Sequence, residues 1–136
     1  MGAGKQNMLI IPFNSRGYDN PPNAFTFWIG MAEWGNTVNL NRYKFGKDVI
    51  LSRIHCYSRT YSPYGSSEPC TVYIRVSDTT DYFLGNVYYN EGLIEYLFEP
   101  NIRISKDDFF NIKFITPNWV TKPVAIWFYG HMILFY

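Results

Sequence analysis

The run Cys70-Thr71-Val72-Tyr73-Ile74-Arg75-Val76 alternates without a slip. Val72, Ile74 and Val76 fall on one side and Thr71, Tyr73 and Arg75 on the other, the period of two that a strand with one wet face requires. Its β-branched and aromatic residues suit a pleated, half-buried surface. Ser77 to Asp81 then carries turn chemistry, and Tyr82 to Tyr89 resumes an extended pattern. A connection that short predicts a hairpin.

The same period extends in both directions. Toward the N-terminus, Tyr57 to Pro69 reads as a loop, and Val49 to Tyr57 alternates with Ile50, Ile54 and Cys56 on one side and Arg53, His55 and Tyr57 on the other. Thr37 to Phe45 starts with Val38 and Leu40 inward and slips to Tyr43 and Phe45, which predicts a bulge near Asn41-Arg42. Ala24 to Ile29 is a strand with Phe25, Phe27 and Ile29 on one face, and residues 1–23, with Pro12, Pro21 and Pro22, read as an irregular segment. Toward the C-terminus come Leu93 to Phe98, a short Ile102/Ile104 stretch, and Phe109 to Ile115 with Phe110, Ile112 and Phe114 inward. Val124 to Tyr136 closes the chain as one bent or two short strands.

These segments make eight strands, and no window holds the i, i+3, i+4, i+7 pattern of a surface helix. The expected fold is all-β, an eight-stranded antiparallel β-sandwich in jelly-roll topology, spanning 1–136 as one domain. In that topology the fourth and fifth strands are the consecutive pair that must form a tight hairpin, and Cys70–Val76 with Tyr82–Tyr89 fills that place. The arrangement puts Cys56 and Cys70 on opposite sheets. A bridge between them and two free, half-buried thiols both remain open from sequence.

Composition narrows the function. The 136 residues carry a net charge of +1, with 12 Tyr, 11 Phe and 4 Trp making up a fifth of the chain. With 47% apolar and 17% charged residues the chain can bury enough surface to fold. Alanine occurs only at 3, 24, 32 and 125, which disfavours a helical bundle. The missing basic excess and basic arm disfavour nucleic-acid binding. No apolar stretch reaches the roughly 20 residues of a membrane helix.

No chemistry-bearing motif emerges. His55 and His131 are far apart in sequence and read as isolated from each other, and the cysteines lack ligand spacing. His55 and Cys56 point to opposite faces of a strand, so both cannot hold one ion. Glu95 and Glu99 share parity, and Asp107-Asp108 are adjacent, but the latter pair sits in a turn where Asp bonds its own backbone. No nucleophile elbow occurs. The expectation is a non-enzymatic protein with no catalytic residue, cofactor or metal. What stands out is the loop aromatics Tyr57, Tyr61, Tyr64 and Trp119, which could stack on sugars, bury against a neighbour, or cap their own sandwich.

Ile102-Arg103-Ile104-Ser105-Lys106-Asp107-Asp108-Phe109-Phe110-Asn111-Ile112-Lys113-Phe114, followed by Val124-Ala125-Ile126-Trp127-Phe128-Tyr129-Gly130, resembles the closing strands of single jelly-roll virus structural proteins. These are the capsid, penton and vertex proteins of icosahedral phages and archaeal viruses. The resemblance implies a virion protein, a penton or minor capsid or vertex component, that assembles with identical subunits, as a pentamer, and with other capsid proteins. The alternative is a carbohydrate- or receptor-binding module that uses Tyr57, Tyr61, Tyr64 and Trp119 on a glycan.

Overall fold

The computed structural model describes residues 6–30, 34–35 and 42–136, and those residues form strands joined by turns and loops, with no helix among them. In chain order the strands are β1 (Met8–Asn14), β2 (Tyr18–Asp19), β3 (Thr26–Ile29), β4 (Trp34–Gly35), β5 (Val49–Arg59) and β6 (Cys70–Val76). They continue with β7 (Thr80–Val87), β8 (Leu93–Phe98), β9 (Ile102–Ile104), β10 (Phe110–Ile115) and β11 (Ala125–Phe135). One antiparallel sheet runs β1-β11-β5-β8, with β2 added to β11 and β9 to β5. The other runs β4-β3-β10-β6-β7. The two pack as a β-sandwich.

Period-two burial explains what lies between the layers. Val72 and Ile74 of β6, and Phe110, Ile112 and Phe114 of β10, are buried as their alternation requires, and so are Phe128, Met132 and Leu134 of β11. Aromatic rings bridge the layers: Phe114 of one sheet lies 5.2 Å from Phe128 of the other, which in turn lies 5.4 Å from Phe13. Such pairs add roughly 0.5–1.5 kcal/mol each beyond the area they bury. The expected hairpin is present as β6 paired to β7, from Cys70↔Val87 to Val76↔Thr80. Cys56 and Cys70 sit on opposite sheets as free, fully buried thiols.

Several expectations need correction. The stretch 1–23 is not irregular throughout, because Met8–Asn14 is a seven-residue strand in register with β11 from Met8↔Phe135 to Asn14↔Tyr129. Pro12 hid it. Proline is tolerated on an edge strand, where only one side of the backbone is paired. Ile50 does not point inward: Val49 and Leu51 do, and the burial phase changes before Ile54. The cause is a register shift, since Ile133 opposes Arg53 while Leu134 opposes Leu51, leaving Ser52 as the extra residue. Of the two readings of the closing segment, one strand or two short ones, the structure bears out the first: Ala125–Phe135 is one eleven-residue strand, central in its sheet. The described residues alone hold eleven strand segments against the expected eight, though β2, β4 and β9 have only two or three residues. Of the strand expected over 37–45, residues 37–41 and the bulge at Asn41 lie outside the described residues. Tyr43 contributes a single bridge to Phe110.

Candidate interaction surface

The outward side chains of the β1-β11-β5-β8 sheet form a lattice whose rows follow from strand register. Its middle row is Pro12, His131, His55 and Leu97, each directly opposite the next. One row toward the chain ends of this sheet, Ile10, Ile133 and Arg53 align, followed by Met8, Phe135, Ile50 and, on β9, the exposed Arg103. On the other side Asn14, Tyr129, Tyr57 and Glu95 align, followed by Trp127, Arg59 and Leu93.

The two histidines that sequence separation set apart are therefore neighbours. His55 and His131 are cross-strand partners with ring centroids 5.4 Å apart and rings nearly perpendicular. His55 Nε2 lies 2.6 Å from Glu95 Oε2, and the Tyr57 hydroxyl donates to the same oxygen at 3.3 Å. These two hydrogen bonds hold the Glu95 carboxyl below the usual carboxylate range. Partial desolvation, and then the neighbouring Glu95 charge, push the Tyr57 phenol up. Cys56 faces the core, as strand alternation requires, and cannot join the cluster. Among the described residues no group of three His, Cys, Asp or Glu side chains has the geometry to hold a metal ion.

What sets this face apart is apolar exposure. Leu97, Leu93, Met8 and Ile10 are 59, 56, 56 and 53% exposed, and Ile50 also stands outward. Ile133 and Phe135 are half-buried among them. The outer face of the second sheet exposes one large ring, Phe83, at 60%, beside Tyr73, and is otherwise laced by ion pairs. There Asp81 accepts from Lys113 Nζ and Arg75 Nε, both at 2.8 Å, and the two cations lie near the Trp28 ring. Burial works against the Asp81 charge, but these hydrogen bonds outweigh it and hold its carboxyl below the usual range.

The four candidate loop aromatics divide. Tyr57 is not in a loop; it belongs to β5 and stacks on Tyr129 at 5.4 Å on the outer face. Trp119 is a core residue, 9% exposed, with Nε1–H donated to the Pro22 carbonyl at 3.2 Å and its ring edge against Tyr89. It caps the end of its own sandwich, and a proline-flanked loop gave no sequence sign that its ring would turn inward. Tyr61 and Tyr64 are exposed, at 49 and 45%, with Tyr61 edge-on to Trp127 at 4.8 Å. Their loop is laced to the Trp119 loop: Thr121 N–H donates to Ser66 Oγ at 2.7 Å, and Val120 N–H to Glu68 Oε1 at 2.6 Å.

The residues that sequence reasoning passed over are the outward aliphatics. Their signal was present, because Met8-Leu9-Ile10-Ile11 and Met132-Ile133-Leu134-Phe135 are apolar on both parities. No family model matches the chain, and neither a curated protein nor a solved structure matches it. No described helix is long and apolar enough to cross a membrane.

Proposed function

We propose that this chain is a non-enzymatic, single-domain jelly-roll protein of a virion, a penton or minor capsid or vertex component that works by assembling with copies of itself. The observation that carries the reading is the apolar outer face of the β1-β11-β5-β8 sheet, since large exposed apolar patches on folded chains mark contact surfaces. The strand order supports the jelly-roll part. Counting the eight longer strands along the chain, one sheet holds the first, eighth, third and sixth, and the other the second, seventh, fourth and fifth. Only the fourth and fifth are both consecutive and adjacent, as two interlocked Greek keys require. The particle role rests on the sequence resemblance, because a fold hosts many functions.

Light scattering after size exclusion tests the assembly. The expected species is a multiple of the 16.0 kDa chain, and a ring of five would weigh about five times that. A single 16.0 kDa species at the highest attainable concentration refutes the reading. Glycan or receptor binding is the second reading. It keeps Tyr61 and Tyr64, which are exposed on a braced loop, and loses Tyr57 and Trp119 as loop anchors. A glycan array followed by Tyr61→Ala and Tyr64→Ala decides it: binding lost while assembly persists would favour it.

A further inference from the structure

We propose that β1 is a docking edge for a second copy of this chain: the two β1 strands pair antiparallel about a two-fold axis at Leu9, and their sheets join into one. This inference rests on the assembly reading and names its contact.

Hydrogen bonds already made fix which main-chain groups of β1 are open. Asn7 and Tyr136 exchange both bonds, at 2.9 and 3.0 Å, and Ser15 N–H donates to the Phe128 carbonyl at 3.0 Å. In an antiparallel ladder such pairs alternate with pairs that exchange none. With Met8 opposite Phe135, the odd residues Leu9, Ile11 and Phe13 bond to β11, and the even residues turn their N–H and C=O away from it. Asn14 shows that direction, since its N–H reaches the Gly30 carbonyl at 3.3 Å. Pro12 has no N–H to offer. Met8 and Ile10 keep both groups without a main-chain partner among the described residues. The open stretch runs from Gln6 to Pro12.

That stretch is its own complement. Two copies centred on Leu9 set Met8 of each opposite Ile10 of the other, exchanging two bonds at each pair, while Gln6 N–H of each meets the Pro12 carbonyl of the other. The seam then holds about six main-chain bonds, where a whole interface ordinarily carries about ten. The donor that Pro12 lacks falls at the last position of the seam. Moving the axis to Met8 would set Ile10 against Gln6 and Leu9 against Asn7. Moving it to Ile10 would set Met8 against Pro12 and carry Gln6 to Asn14, where Gly30 already sits. The Leu9 register alone keeps both the bonds and the apolar neighbours, Met8 beside Ile10 outside and Leu9 beside Leu9 inside.

Burial and charge point to the same edge. Leu9 and Ile11 face the core yet stay half-buried, whereas their partners on β11, Leu134 and Met132, are 0% exposed. A second β1 covers that open flank, and it continues the outer apolar patch across the seam through Met8 and Ile10. Edge strands are ordinarily guarded by charge. Of the other long edges, β8 carries Glu95 and β7 carries Asp81. Gln6 to Asn14 carries no charged residue, and the flanking ones in sequence, Lys5 and Arg16, lie beyond the paired stretch.

Sedimentation equilibrium on the full chain and two kinds of variant test the contact. Ile10→Pro removes an N–H that faces away from β11, so the ladder within the chain keeps its bonds and the melting temperature should hold within about 3 °C. Self-association should weaken at least about tenfold, because each copy loses a donor from the seam. Cysteines read the register. Met8→Cys mixed with Ile10→Cys should give disulfide-linked heterodimers under mild oxidation, since the two positions stand opposite at about 5.5 Å between Cα atoms. Either variant alone should cross-link far less, because its two copies of the cysteine lie roughly 9 Å apart. The native thiols are buried and do not compete. Should Ile10→Pro fail to fold, the cysteine mixture decides. Unchanged association in a folded Ile10→Pro, or a mixture that cross-links no better than its components, overturns the contact. If the parent chain oligomerises in those cases, assembly stands and this edge is wrong. A parent chain that is monomeric throughout ends both.

Discussion

Gly130→Ala tests the junction on which the whole face depends. Gly130 sits opposite Cys56 in the β11–β5 ladder, and a Cβ there would lie 2.1 Å from the His55 carbonyl oxygen and 2.6 Å from the Cys56 Cα. Carbon–oxygen contacts between adjacent strands ordinarily begin near ~3.3 Å. The strands must therefore separate by more than an ångström, and the obstacle is backbone, which cannot rotate aside as a side chain can. That displacement breaks about two ladder hydrogen bonds at roughly 1 kcal/mol each and adds a strain of roughly 1–3 kcal/mol. The expected loss is about 3–5 kcal/mol, a large part of the roughly 5–15 kcal/mol that holds a domain together. With an unfolding entropy of about 0.3 kcal/mol/K for a chain of this length, the melting temperature should fall by ~10–15 °C. Relief of glycine's chain entropy acts in the other direction but amounts to only about 1 kcal/mol. Thermal unfolding followed by circular dichroism near 215 nm reads the result. A variant that melts within ~2 °C of the parent, or above it, would show that β11 and β5 do not approach as described.

Three further perturbations probe the core and its end caps. Thr116 is buried, donates its hydroxyl to the Pro22 carbonyl at 2.7 Å and accepts from Phe25 N–H at 2.9 Å, so Thr116→Val should cost about 2–3 kcal/mol in urea denaturation by stranding both partners. Burial pushes the thiols of Cys56 and Cys70 up and away from solvent, so neither should react with a maleimide in the native state, and both should react once the chain is unfolded in guanidinium. The Tyr43 phenol is pushed up to about 12 by burial, and its hydroxyl has no hydrogen-bond partner among the described residues. The folded state keeps that proton after the unfolded state has lost it, so Tyr43 contributes stability that is complete below pH ~10 and fades as pH rises toward 12. Tyr43→Phe should therefore be at least as stable at neutral pH and should lose less stability between pH 10 and 12, as measured by chemical denaturation across that range.

The strands legible in the sequence were those whose burial pattern is simple. Cys70–Val76 and Phe110–Ile115 each pack one parity into the core, and the period of two states that directly. Ile50 was misplaced because one extra residue at Ser52 inverts every side chain before it, and no residue type announces a bulge inside an aliphatic run. The pairing of His55 with His131 was out of reach for another reason. The two lie 76 positions apart, and their adjacency depends on β11 entering between β1 and β5, a matter of topology that local pattern does not encode. Trp119 was misread because composition reports that a segment is a loop but not which way its largest ring turns.

The pattern that resisted a one-faced reading is also the strongest argument about what the molecule does. A strand with one wet face alternates, whereas a strand buried on both faces reads as continuous apolar sequence. Met8–Ile11 and Met132–Phe135 are of the second kind, and they are register partners in the same sheet. Their inward residues, Leu9, Ile11, Met132 and Leu134, meet the core, while Met8, Ile10, Ile133 and Phe135 meet no second layer among the described residues. Leaving such groups in water forfeits about 25 cal/mol for each Å² of apolar surface that a partner would cover, so the apolar residues left open on this face are a standing drive toward association. Binding costs consume much of that gain, and the remainder depends on how well the opposing surface fits.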